Sequence, residues 1–117
     1  EVDTPGRIKK GEKMKTKVLS KEARLNDRFR ELGFGMTLTQ GVHSLKNIEG
    51  LLHALRNYDS FTEGNDPYGE HDFGSVNWYG KKIFWKIDYH NPTYSGWCDP
   101  LSENCKRVLT VMLAEEY

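Results

Sequence analysis

The sequence predicts an α+β domain in which a small, largely antiparallel sheet, one strand plus a long hairpin, carries three helices in the order α-β-α-β-β-α. Three observations lead there. Segments 20–32 and 47–55 repeat apolar residues at helical intervals; residues 72–89 form two aromatic and β-branched runs around a Tyr-Gly pair; and Gly, Pro and Asn gather between these segments. The chain of 117 residues has the length of one domain, able to bury about two-thirds of its unfolded surface.

Taken in order, Ser20 can cap a first helix whose apolar positions Leu25, Phe29 and Leu32 face inward, with Arg24, Asp27, Arg28 and Glu31 outward, until Gly33 and Gly35 stop it. Residues 36–42 alternate Met36, Leu38, Gln40 with Thr37, Thr39, Gly41 and read as a short strand. Asn47 opens a second helix with a stripe at Ile48, Leu51, Leu52 and Leu55. A turn-rich stretch follows, punctuated by Gly64, Asn65, Pro67 and Gly69. The runs 72–78 and 81–89 then form a hairpin with Tyr79-Gly80 at its tip. After a loop over 91–102, Asp99 or Ser102 can cap a last helix, striped by Cys105, Val108, Leu109 and Met112.

Composition narrows the function classes. At 37% hydrophobic and 29% charged, the chain is too apolar to be wholly disordered. No run approaches the ~20 apolar residues that a membrane span needs, and the start lacks the apolar core of a secretory signal. A cytoplasmic protein without membrane contact is expected. The net charge of zero hides an uneven spread: residues 7–17 hold six basic residues against Glu12 alone, while 18–117 hold eleven basic against fourteen acidic. Residues 1–17 read as a flexible basic tail ahead of a domain over 18–117, and the acidic body argues against a face devoted to phosphate backbones.

The stretch 65–74, N-D-P-Y-G-E-H-D-F-G, concentrates three carboxylates and one imidazole. Asn65 and Asp66 can bond backbone N–H groups two residues on, and Pro67 and Gly69 suit a tight turn. With Tyr79-Gly80 at the tip, Val76 faces Ile83, Gly74 faces Trp85 and Asp72 faces Ile87 on an apolar surface, Gly74 leaving room for the indole. Ser75 then faces Phe84, Phe73 faces Lys86 and His71 faces Asp88 on the other. This register makes His71, Asp88 and Lys86 a candidate catalytic set, since a carboxylate opposite an imidazole fixes its tautomer and raises its pKa. The same three groups equally describe a cross-strand charge brace of about 0.2–1 kcal/mol. Asn65, Asp66, Glu70 and Asp72 are candidate binding residues, with Glu70 and Asp72 directed to the helix side. No G-x-S-x-G, H-E-x-x-H or paired C-x-x-C occurs. No cofactor is therefore expected, a divalent ion at Glu70, His71, Asp72, Asp88 and His90 being the weaker alternative. Cys105 reads as a core thiol, Cys98 as a loop thiol facing solvent.

Three blocks in sequence order carry a resemblance: L-N-D-R-F-R at 25–30, F-T-E-G-N-D-P-Y-G-E-H-D-F-G at 61–74 with T-Q-G-V at 39–42 before it, and I-F-W-K-I-D-Y at 83–89 followed by R-V-L-T-V-M-L-A-E-E-Y. Together they resemble a small bacterial family catalogued as a domain of unknown function. The resemblance implies a one-domain α+β protein often found on plasmids, phages or other mobile elements, with no established reaction and with Glu70, His71, Asp72, Lys86 and Asp88 among its recognisable residues.

Two function classes follow. One is a binding module that docks on a bacterial host protein, for example as an inhibitor of host defence. The other is a hydrolase or nuclease-like enzyme built on His71, Asp88 and Lys86, with or without a metal ion. Nucleic-acid binding through the tail and Lys81-Lys82 ranks below both.

Overall fold

The computed structural model describes residues 19–33 and 35–117; the basic tail expected over 1–17 lies outside them. The chain runs α1 (Lys21–Leu32), β1 (Met36–Leu38), α2 (Gln40–His43), α3 (Ile48–Arg56), β2 (Phe73–Trp78), β3 (Lys81–His90), β4 (Lys106–Leu113) and a final 3₁₀ turn (Ala114–Glu116). One four-stranded mixed sheet has the order β1-β4-β3-β2, antiparallel except for the parallel β1/β4 pair. The α+β class matches the expectation, as do the first two of the expected helices, here α1 and α3.

Local signals set the element ends where they were expected. The Ser20 hydroxyl accepts from Ala23 N–H at 3.0 Å, and Gly33 closes α1 in the left-handed region at φ 73°. Asn47 Oδ1 accepts from Gly50 N–H at 3.2 Å to start α3, whose Leu51 and Leu55 are fully buried. At the hairpin tip Tyr79 and Gly80 both have positive φ, 49° and 80°, the backbone of a type I′ turn whose twist suits two antiparallel strands. The register follows: Phe73 opposes Lys86, Gly74 Trp85, Ser75 Phe84 and Val76 Ile83. A Cβ on Gly74 would sit 2.5 Å from Trp85 Nε1, so the glycine does admit the indole.

Three expectations are corrected. The segment expected as a last helix is β4, central in the sheet. Val108, Thr110 and Val111 are β-branched, and Leu109 and Val111 alternate onto the core face opposite Ile87 and Trp85. A short apolar run fits both periods, and pairing on both sides decides between them. The strand expected over 36–42 ends at Leu38, because Thr39 caps the single turn α2, which buries Val42. In α1 the buried residues are Ala23, Asn26 and Arg30, whereas Leu25 and Leu32 are exposed.

The core joins Val42, Leu51, Leu55 and Tyr58 to the sheet face carrying Ile83, Trp85, Ile87, Tyr89, Leu109 and Val111. The helices thus lie over one face. The other face carries Lys82, Phe84, Lys86, Asp88 and His90 along β3, with Phe73 tilted against Phe84 and Tyr117 edge-on to it. Among the described residues no helix is long and apolar enough to cross a membrane.

Candidate functional site

The expected pair of His71 and Asp88 is not formed. His71 lies before β2 with φ 56°, and a left-handed residue reverses the alternation that a strand would continue. Its ring turns to the helix side, where Nδ1 meets Asp27 Oδ1 at 2.8 Å and Oδ2 at 3.0 Å. Because a carboxylate only accepts, we assign the Nδ1 hydrogen to that contact. Nε2 lies 3.7 Å from Asp66 Oδ2, and the ring stacks on Phe61 with centroids 3.7 Å apart and planes at 4°. Asp88 stays on the open sheet face, 3.4 Å from Lys86 Nζ, both side chains well exposed at 44% and 38%. The catalytic set expected from the sequence is therefore divided between two sides of the sheet, since Lys86 follows Asp88 and His71 does not.

On the helix side the groups build a buried polar layer. Arg30, 2% exposed, donates to Asp27 at 3.1 Å and to the Tyr58 carbonyl at 2.9 Å. Its guanidinium lies 5.2 Å from the Trp85 ring centroid and 5.4 Å from that of Phe61. Among the described residues Arg30 Nε and Trp85 Nε1 have no hydrogen-bond partner, and this aromatic enclosure is the cation's compensation. Asn26 donates to Glu70 O at 2.9 Å and Tyr89 Oη at 2.7 Å and accepts from Arg107 Nε at 2.6 Å. Tyr89 donates to Glu70 Oε1 at 3.1 Å. Burial pushes the Tyr89 hydroxyl well above its ordinary pKa, so it remains a donor in this network.

The candidate binding residues divide by role. Asn65 is a turn former: its Oδ1 accepts from Thr62 N–H at 2.9 Å and its Nδ2 donates to Ser60 O at 3.0 Å. Asp66 accepts from the N–H groups of Glu70 at 3.1 Å and His71 at 3.3 Å, fastening the loop that presents the imidazole. Glu70 points to the helix side, as expected. Asp72 lines a second cleft, about 570 Å³, with Asp88, His90, Tyr94 and Trp97; burial, then the nearby Glu70 charge, raises its carboxyl pKa.

Asp27, Arg30, Asp66, Phe61 and His71 line the larger cleft of about 990 Å³. It pairs an imidazole with an orienting carboxylate, the arrangement of a general base; Nδ1 and one ring face are engaged by the protein, while Nε2, 3.7 Å from Asp66 Oδ2, is beyond hydrogen-bond distance. Among the described residues no three His, Cys, Asp or Glu side chains converge as metal ligands, and His90 stands apart from His71, which the expected ligand set required together.

Sequence reasoning missed Asp27, Arg30 and Phe61. The signal for Arg30 was present: Ala23, Asn26 and Arg30 share a helical face at i, i+3 and i+7, disregarded because two of the three are polar. It also missed Tyr94 and Trp97, 58% and 73% exposed on the loop after β3. That loop is well braced. Asn91 N–H donates to Gly96 O at 2.9 Å, Asn91 Oδ1 accepts from Ser95 N–H at 2.9 Å, and Trp97 bridges His90.

No curated protein and no solved structure matches the chain. Residues 38–116 match the family model described as "Protein of unknown function (DUF3768)"; α1, with Asp27 and Arg30, precedes the matched span. With α2 to the final turn and both halves of the polar motif falling inside a match over most of its length, the chain belongs to the DUF3768 family.

Proposed function

We propose that this protein is a binding module that docks on another protein through the loop after β3, with Tyr94 and Trp97 as anchors and Lys86 and Asp88 beside them. The observation that carries the reading is the exposure of Trp97, 73%, on a loop whose backbone is held by Asn91. Large aromatic rings kept in water on a preorganised loop match the anchors of protein interfaces, because little ordering entropy remains to be lost on docking. The motif around His71 supports the same reading as scaffold: the bonds from the Glu70 and His71 N–H groups to Asp66, with the His71 Nδ1 contact to Asp27, hold the 59–72 loop against α1. The family resemblance to products of mobile elements favours a bacterial host protein as the partner.

A photo-crosslinking residue placed at Trp97, and as control at the exposed hairpin residue Tyr79, tests the proposal in bacterial cells. A discrete protein adduct from position 97, and none from 79, is expected. Identical adduct patterns from the two positions would remove the docking loop.

One observation favours a second reading, hydrolysis in the larger cleft: the 2.8 Å contact that orients His71 through Asp27. This reading keeps His71 of the sequence-derived set and replaces Asp88 by Asp27. Turnover on an ester and phosphoester panel that disappears in His71→Gln, with folding intact, would establish it; a flat panel rejects it.

A further inference from the structure

We propose that Cys98 and Cys105 are a reversible dithiol/disulfide pair, a modification site that takes a small-molecule disulfide such as oxidised glutathione as its oxidant. The two residues bracket the 98–105 segment, which folds back on itself so that the Cys105 thiol reaches the Cys98 carbonyl at 3.9 Å. A disulfide spans β-carbons roughly 3.5–4.5 Å apart, and the contact of one thiol with the other residue's carbonyl sets the two side chains beside each other. Both cysteines are free and half-buried, so an oxidant can reach them. Cys105, expected in a helical core, instead stands directly before β4, while Cys98 follows Trp97.

The chemistry is an ordinary exchange. One cysteine thiolate attacks oxidised glutathione, forming a mixed disulfide and releasing one glutathione thiolate; the second cysteine displaces the other. The two protein thiols lose two electrons and two protons, and oxidised glutathione is reduced to two thiols. Burial, and then the neighbouring Cys98, push the Cys105 thiol up, which makes Cys98 the first attacker and Cys105 the resolving group. The product would tie the Trp97 loop to the start of β4, next to Arg107, which already donates to the Pro100 carbonyl at 2.7 Å. Formation of the bond does not depend on the docking role proposed for that loop.

The test equilibrates the native protein in glutathione buffers of increasing oxidised fraction, quenches with an alkylating agent and reads intact mass. An intramolecular disulfide, lighter by two hydrogens and unaffected by protein concentration, is expected to accumulate along the series. In the single variants, Cys98 in Cys105→Ser should form its mixed disulfide several-fold faster than Cys105 in Cys98→Ser. The proposal is overturned if the native protein stays fully alkylatable in oxidised glutathione, or yields only mixed disulfides or disulfide-linked dimers. Crosslinking at position 97 from reduced and oxidised protein then reports separately on docking.

Discussion

Replacing Asp27 by Asn and, separately, Asp88 by Asn distinguishes the two halves of the polar motif. Asp27 accepts from His71 at 2.8 Å and faces the Arg30 guanidinium at 3.1 Å, with 20% of its side chain exposed and only 2% of Arg30's. Removing one partner of a fully buried charge pair costs about 3–5 kcal/mol, because the remaining charge is left uncompensated. The residual exposure of Asp27, and the acceptor oxygen that Asn keeps, reduce the expectation to about 2–3 kcal/mol. Asp88 and Lys86 are more than one-third exposed, so Asp88→Asn should change stability by only about 0–1 kcal/mol. Urea unfolding followed by fluorescence, with the buried Trp85 as reporter, measures both. For a domain of this size each kcal/mol corresponds to roughly 4–8 °C in Tm, so thermal scans should separate the variants as well. Equal losses, or a larger loss in Asp88→Asn, would refute the assignment of the brace to the helix side.

Other outcomes follow from the same packing. In Gly74→Ala the new Cβ would lie 2.5 Å from Trp85 Nε1 and 2.7 Å from Tyr58 Cζ; overpacking of about 1–3 kcal/mol should outweigh the entropic gain of about 0.4–1 kcal/mol from losing a glycine, lowering the urea midpoint. Because the folded-state pKa of Asp72 is raised above the ordinary 3.8, stability linked to it is fully present below that value and lost as pH rises through the folded pKa. Asp72→Asn should therefore be most favourable relative to the native protein at neutral pH, and a pH series of unfolding curves should show that advantage shrinking on acidification. Glu116 has the opposite sign: Thr39 Oγ1 at 2.6 Å and Leu113 N–H at 2.8 Å hold its carboxyl below 4.5, so its contribution is present above that pH and disappears as pH falls through the folded pKa. Glu116→Gln should flatten the acid limb of the same curves. Trp97→Ala should leave stability within about 0.5 kcal/mol, as exposed substitutions do, while abolishing the adducts captured by a crosslinker at Tyr94.

The sequence by itself determined the features that depend on near neighbours. Ser20, Gly33 and Asn47 fixed helix ends because each satisfies backbone groups within four residues. The apolar stripe of α3 fixed its buried face. Tyr79-Gly80 fixed a hairpin register from which Gly74 opposite Trp85 follows, since a two-residue tip leaves one way to pair the strands. Tertiary structure decided everything that depends on partners distant along the chain. Whether 106–113 coils or extends turns on β1 and β3 lying on either side of it, and its apolar spacing satisfies both periods. Which side of α1 is buried turns on Asn26 meeting Tyr89 and Arg107, and Arg30 meeting Tyr58 and two aromatic rings; no count of apolar residues favours a face whose stabilisation comes from hydrogen bonds and a cation between rings. The place of His71 turns on one backbone dihedral. Strand alternation holds only while the chain stays extended, and the left-handed turn at His71 carries the imidazole to Asp27 instead of to Asp88.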